Sequence, residues 1–229
     1  VLDAAVAEVV HTQTQPAGDV ITSDPTLHRI LAAARTSFLG NLHGVLTDCP
    51  HRERGAWHAD IEIACELGLY AFETRDVYRK SLLDTLDTLD DHGMPYYLSV
   101  GRRLHPPSRD IGWVSVVAEV AWRLYAMCGD GATLRLTYPT SRRVAETMLR
   151  RTQDGLLRDA AWGDHAPPLR DAQGDRIPPC PLVLYASFKL FEMLRTLRRT
   201  AYALGHTDDA RYFADRGFVH LLREEGFAI

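Results

Sequence analysis

Helical periodicity, broken alternately by short turns and by long loops, is the feature that most limits what this chain can fold into. From Ser23 onward apolar residues recur at spacings of three and four, as in Leu27, Ile30, Leu31, Ala34 and Phe38. The same spacing predicts helices over about 23–40, 59–73, 75–91, 113–127, 132–152, 182–204 and 207–225, seven in all. Ser23 or Asp24 can cap the first, with Pro25 early in its first turn. Val77, Leu82, Leu83, Leu86 and Leu89 are expected to face inward from the third, and Gly93, Gly129 and Gly205 stand just past helix ends. Pro139 predicts a bend in the fifth. The stretches 41–58, 94–112 and 154–181 lack a helical period and read as long loops, which in compact domains usually carry function. If the helix pairs close into a ring, these loops meet at one end around a shared cavity. No repeat of fixed period is present, which sets aside solenoid arrays.

Residues 1–22 read differently. β-Branched residues around Val9-Val10 and Val20-Ile21-Thr22, split by Pro16-Ala17-Gly18, predict the last strands of a preceding β domain or a linker. The expected organisation is therefore 1–22 as that segment and 23–229 as an all-α unit. Val1 carries neither a start Met nor a leader, and reads as a cut inside a longer chain.

Composition narrows the function. A net charge of −4 offers nothing to a polyanion, so no nucleic-acid partner is expected. No uninterrupted run of 18 apolar residues exists, so no membrane partner is expected either. Cys49, Cys65, Cys128 and Cys180 form no C-x-x-C pair and no zinc-type spacing with the histidines. No metal and no cofactor are therefore expected. Four thiols suit a reducing, cytoplasmic compartment, with a secreted parent as the alternative. The oligomeric state is left open.

The chemically informative stretch is Asp48-Cys49-Pro50-His51-Arg52-Glu53-Arg54-Gly55-Ala56-Trp57-His58-Ala59-Asp60. Three carboxylates, two arginines, two histidines and a tryptophan share thirteen residues. One reading is a solvated charged turn. The other is a sugar site, because carboxylates accept pairs of hydroxyls and an indole covers the apolar face of a pyranose. Hydrolysis of a glycoside further needs one carboxylic acid to protonate the leaving oxygen and a second carboxylate across the sugar. His43 and His58 flank the cluster and are candidates for the same pocket. Tyr96-Tyr97, after Pro95, read as packing residues or as a rim to a sugar.

The run Asn41-Leu42-His43, Thr47-Asp48-Cys49-Pro50-His51-Arg52-Glu53-Arg54, Trp57 and Asp60 resembles the signature of glycoside hydrolase family 78, the bacterial α-L-rhamnosidases. Trp113, opening a helix that Gly129-Asp130 closes, and Trp162-Gly163-Asp164 resemble further parts of it. The resemblance implies an (α/α)6 barrel of the six-hairpin glycosidase type, here its N-terminal part. It also implies an inverting hydrolysis of terminal α-L-rhamnose from a rhamnose-containing oligosaccharide or glycoside. By motif position it makes Glu53 the general acid and places Asp48, Arg52, Trp57, Asp60, Trp113 and Asp164 against the sugar. The general base is expected beyond this chain. Ser115 stands where the family often has Asp, and His165 where it prefers Trp. Since Arg52 and Arg54 would both oppose protonation of Glu53, at least one is expected to face a structural partner. Another (α/α)-barrel glycosidase, a uronide-active enzyme and a non-catalytic sugar-binding or helical interaction module are the alternatives.

Overall fold

The computed structural model describes residues 5–6, 8–99, 110–158, 162–163, 170–175, 177 and 180–217. Among these the fold is all-α: α1 (Pro25–Gly40), α2 (His58–Ala71), α3 (Arg75–Leu86), α4 (Ile111–Val114), α5 (Val116–Cys128), α6 (Gly131–Leu149), α7 (Leu182–Ala203) and α8 (Thr207–Asp215). The single turn α4 runs into α5, because Ser115 keeps right-handed helical torsions and the amides of Ala118 and Glu119 donate back to its carbonyl. The eight segments thus make the seven rods expected. α6 continues through Pro139.

Local chemistry sets the ends. Asp24 caps α1, its Oδ1 accepting from the amides of Thr26 and Leu27, with Pro25 at the first helical position. α5 ends at Gly129 in the left-handed region, φ 69°, where glycine meets no Cβ penalty. The expectation that α3 reaches residue 91 is corrected: it ends at Leu86. Asp90 Oδ1 collects the amides of His92 and Met94, so the chain turns there instead. Leu83, expected inward, is exposed, as are Leu27 and Ile30 of α1.

The N-terminal β segment is an extended stretch laid along the end of α2. The amide of Ala17 donates to Ala71 O and that of Glu73 to Gln15 O, on either side of a single bridge between Pro16 and Phe72. Pro16 has no N–H to extend that ladder. The two-stranded antiparallel sheet lies elsewhere, pairing Thr152–Gln153 (β1) with Leu156–Leu157 (β2).

α5 is the central rod, packed against α2, α3, α6 and α7. The stretch Ile111–Cys128 is long and apolar enough to cross a membrane by length and composition, yet 67% of it is buried inside the fold, as expected of a core helix. Val114, Val116, Val117, Val120 and Leu124 are all 0% exposed. Where α1 crosses α2, Gly68 permits close approach: a Cβ there would lie 2.7 Å from the Phe38 ring and 2.5 Å from Tyr78 Oη, which donates to Ala64 O. Gly68→Ala is therefore expected to destabilise by about 1–2 kcal/mol, overpacking outweighing the better helix propensity of alanine. A lowered Tm checks it; an unchanged or raised Tm would mean that the α1–α2 contact yields.

Short turns join α2 to α3, α5 to α6 and α7 to α8, and long loops precede α2, α4 and α7. All three long loops therefore open at one end of the helix layer, where the N-termini of α2, α4 and α7 point.

Candidate active site

The loop before α2 is closed on itself. The Asp48 amide donates to Gly55 O at 3.0 Å, and the Gly55 amide donates to Asp48 Oδ1 at 2.9 Å. Inside this clasp the Glu53 amide donates to Cys49 Sγ at 3.1 Å. The crest from Pro50 to Arg54 is exposed, and 45% of the Glu53 side chain is open to solvent. Arg54 adopts a left-handed backbone, φ 54°, a conformation that costs a non-glycine residue about 1–2 kcal/mol.

The expectation that one arginine faces a structural partner is not met. Arg54 is exposed, and the 81% exposed Arg52 has its Nε 3.9 Å from Glu53 Oε1. A loop crest has solvent on both sides, so neither guanidinium is held in the interior.

After the clasp the chain passes under the α3–α4 loop. The His58 amide donates to Tyr97 O and the Ser99 amide to Ala56 O, flanking a bridge between Trp57 and Leu98. Gly55 packs closely here: a Cβ would lie 3.0 Å from Trp57 Nε1, so the indole would have to give by a few tenths of an ångström. This pairing delivers Trp57 into a hydrophobic cluster separate from the main core, built on Tyr97, Leu98 and Trp113, with Trp57, Ala59 and Trp162 packed against it. Trp162 stacks on Tyr97 at 4.8 Å and 14°. It lies 5.4 Å from Trp113 edge-on and 5.8 Å from Trp57. Trp57 and Trp162 are only half-buried. Four rings from four separate stretches of chain thus form a partly open aromatic wall at the end where the long loops meet.

Of the residues singled out in the sequence, Trp57 and Trp113 join this wall. Asp48, Arg52 and Glu53 lie on the adjoining loop, and the exposed Asp60 sits in the first turn of α2, where the helix dipole favours a carboxylate. Asp164 falls outside the described residues. Tyr97, read from the sequence as packing or rim, and Trp162, noted there only within a resemblance, are also members of the wall, and Asp110, which the sequence did not mark, stands behind it. The histidines belong to the scaffold. His43 Nε2 lies 2.9 Å from Gly40 O. His58 is 0% exposed with Nε2 3.1 Å from Thr85 Oγ1, and burial, outweighing the backbone of Tyr96, pushes its pKa down to about 3. It is a neutral core imidazole. Among the described residues no three His, Cys, Asp or Glu side chains gather as metal ligands would.

Beneath the wall lies a buried polar network. Two residues beyond Asp60, Glu62 accepts from Lys189 Nζ at 2.7 Å and from Ser115 Oγ at 2.8 Å. An Asp at 115 would set a second carboxylate against Glu62, which gives the Ser found there a physical reason. One turn on, Glu119 Oε2 lies 3.8 Å from Arg123, whose Nε also meets Glu66. Burial first, then the charge of Glu62, raise the Glu119 pKa from 4.5 to about 7, against the pull of Arg123. A raised carboxyl pKa means that the folded state holds the proton more tightly. This group's contribution is fully present below about pH 4.5 and is lost as pH climbs through 7, on the order of 3 kcal/mol across that window. Glu119→Gln is expected to remove this loss, so the difference in Tm between variant and wild type should shift steadily in the variant's favour from pH 4.5 to 7. A constant difference would mean that Glu119 does not titrate there.

The family model for the bacterial alpha-L-rhamnosidase 6 hairpin glycosidase domain matches residues 15–218. The chain belongs to this family. An alpha-L-rhamnosidase of Formosa agariphila is 26% identical over 204 residues, which are 84% of this chain and 21% of that protein, so the chain spans about a fifth of its relative's length. The solved alpha-L-rhamnosidase from Dictyoglumus thermophilum superposes with a TM-score of 0.81 at 25% identity, over 92% of this chain and 23% of that one. That from Streptomyces avermitilis, solved in complex with L-rhamnose, gives a TM-score of 0.78 at 22% identity, over 90% and 19%. The helix hairpins described above are thus those of a six-hairpin glycosidase domain.

Proposed function

We propose that this chain forms the sugar-binding, acid-bearing side of the catalytic site of an inverting α-L-rhamnosidase acting on rhamnose-containing oligosaccharides or glycosides. The observation that carries the reading is the partly open wall of Trp57, Tyr97, Trp113 and Trp162 beside a clasped loop that holds an exposed carboxyl, Glu53. Indoles offer the C–H face of a pyranose a flat apolar surface. Family membership and the L-rhamnose complex of the Streptomyces avermitilis relative point to rhamnose as that sugar.

In this reading Glu53 protonates the glycosidic oxygen as the C–O bond breaks. A carboxylate outside these 229 residues takes a proton from water attacking the opposite face, roughly 6.5–9.5 Å away. Asp48, Arg52, Asp60 and Asp164 hold the sugar hydroxyls. Asp48 spends Oδ1 on Gly55, and a carboxylate has lone pairs left for a hydroxyl.

The test is turnover of para-nitrophenyl α-L-rhamnoside by the full-length protein, with proton NMR following the first-formed sugar. β-L-Rhamnose appearing first supports inversion, and the α anomer appearing first refutes it. Folded protein that binds L-rhamnose without turnover would make this a sugar-binding module. Activity on uronides alone would make it a uronide-active relative.

A further inference from the structure

We propose that Asp110 is a positioning residue whose buried carboxylate sets the angle of the Trp162 ring and so the affinity for the sugar. The inference rests on the reading of the aromatic wall as the sugar-binding surface.

Asp110 is 0% exposed, and its two oxygens point to different parts of the chain. Oδ1 accepts from the Gly112 amide at 2.9 Å and caps α4. Oδ2 accepts from the Trp162 amide at 2.7 Å and the Gly163 amide at 3.3 Å. Capping a one-turn helix needs a single acceptor, which Ser or Asn supplies without burying a full charge. The cost of desolvating a carboxylate is met here by three backbone donors, two of them from a loop half a hundred residues away. The same side chain thus ties the backbone of Trp162 to the turn that carries Trp113.

The junction is closed from behind by α7. A Cβ on Gly112 would run into Tyr185 Oη, and one on Gly163, whose φ is +51°, would run into Leu182 Cδ2. The Trp162 backbone is therefore held by Asp110 on one side and has packed side chains at the next residue. What this fixes is the stack on Tyr97 and the edge contacts to Trp113 and Trp57. Glu53 lies on a different loop from Trp162, one closed by the pairing of Asp48 with Gly55 rather than by Asp110.

Asp110→Asn tests this. An amide has one acceptor oxygen, so it cannot serve both Gly112 and the Trp162–Gly163 pair. In the full-length protein the near-UV circular dichroism of the coupled rings should change without any sugar present. KM should rise about tenfold while kcat stays within about threefold, the pattern of lost binding rather than lost chemistry. In a Trp162→Ala background the same substitution should leave KM where Trp162→Ala alone put it. A folded Asp110→Asn protein with the wild-type near-UV spectrum overturns the proposal whatever the substrate proves to be. A wild-type KM, or kcat falling with KM unchanged, overturns it too. If Asp110→Asn does not fold, Trp162→Ala decides: a wild-type KM there overturns it, and a tenfold rise with kcat retained supports it. Absence of rhamnoside turnover by wild type, with the spectrum altered in Asp110→Asn, removes the substrate assignment and leaves the positioning of Trp162 standing.

Discussion

Glu53→Gln is expected to lower kcat on an alkyl α-L-rhamnoside by about 10³-fold, and on the para-nitrophenyl glycoside by much less. An alkoxide is a poor leaving group that must be protonated as it departs, whereas para-nitrophenolate leaves readily unaided. Gln keeps the size of Glu and removes the proton. The variant should fold as wild type does, because 45% of this side chain is exposed and the loop is closed by Asp48 and Gly55, not by Glu53. KM should change little. The measurement is kcat on the two leaving groups side by side. Equal losses on both would assign Glu53 a role other than proton donation, and an unaffected kcat on the alkyl glycoside would remove it from the chemistry.

The largest effect on stability is expected at Lys189. Glu62 is 6% exposed and is held by Lys189 from α7 and Ser115 from the α4–α5 junction. Lys189→Met removes the cation and strands the carboxylate, a change that costs about 3–5 kcal/mol for a buried pair. Lys189→Met combined with Glu62→Leu should recover most of the stability, because two apolar side chains of similar volume need no counter-charge. Urea midpoints of the three proteins decide it. A double variant no more stable than Lys189→Met alone would show that the loss came from packing rather than from the stranded charge.

The helices were legible because their periodicity is local. Asp24 and Pro25 announce the start of α1, and Gly129 the end of α5, within a few residues of the events they cause. The apolar pattern runs on to Leu89 and so predicts too long an α3, because a side-chain acceptor at Asp90, competing for the following amides, leaves no trace in that pattern. Ser115 stands where the family often has Asp, and its donation to Glu62 at 2.8 Å is a contact that spacing along the chain does not reveal.

The site divides in the same manner. Asp48, Glu53, Trp57 and Asp60 could be selected because they stand in one dense run of charged and aromatic side chains. Tyr97 could be read only as packing or rim and Trp162 only as part of a resemblance, Asp110 carries no local mark at all, and the three act together only because their loops meet. By itself the sequence determined the helix pairs, the alternation of short turns with long loops, and the charged stretch that bears Glu53, since each follows from torsions and spacings within a few residues. Only the tertiary structure decided that four aromatic rings form one wall, that Asp110 ties two loops together, and that His58 is a neutral core residue. Ring contacts, shared acceptors and desolvation are properties of groups brought together across the fold, and none is written in the spacing along the chain.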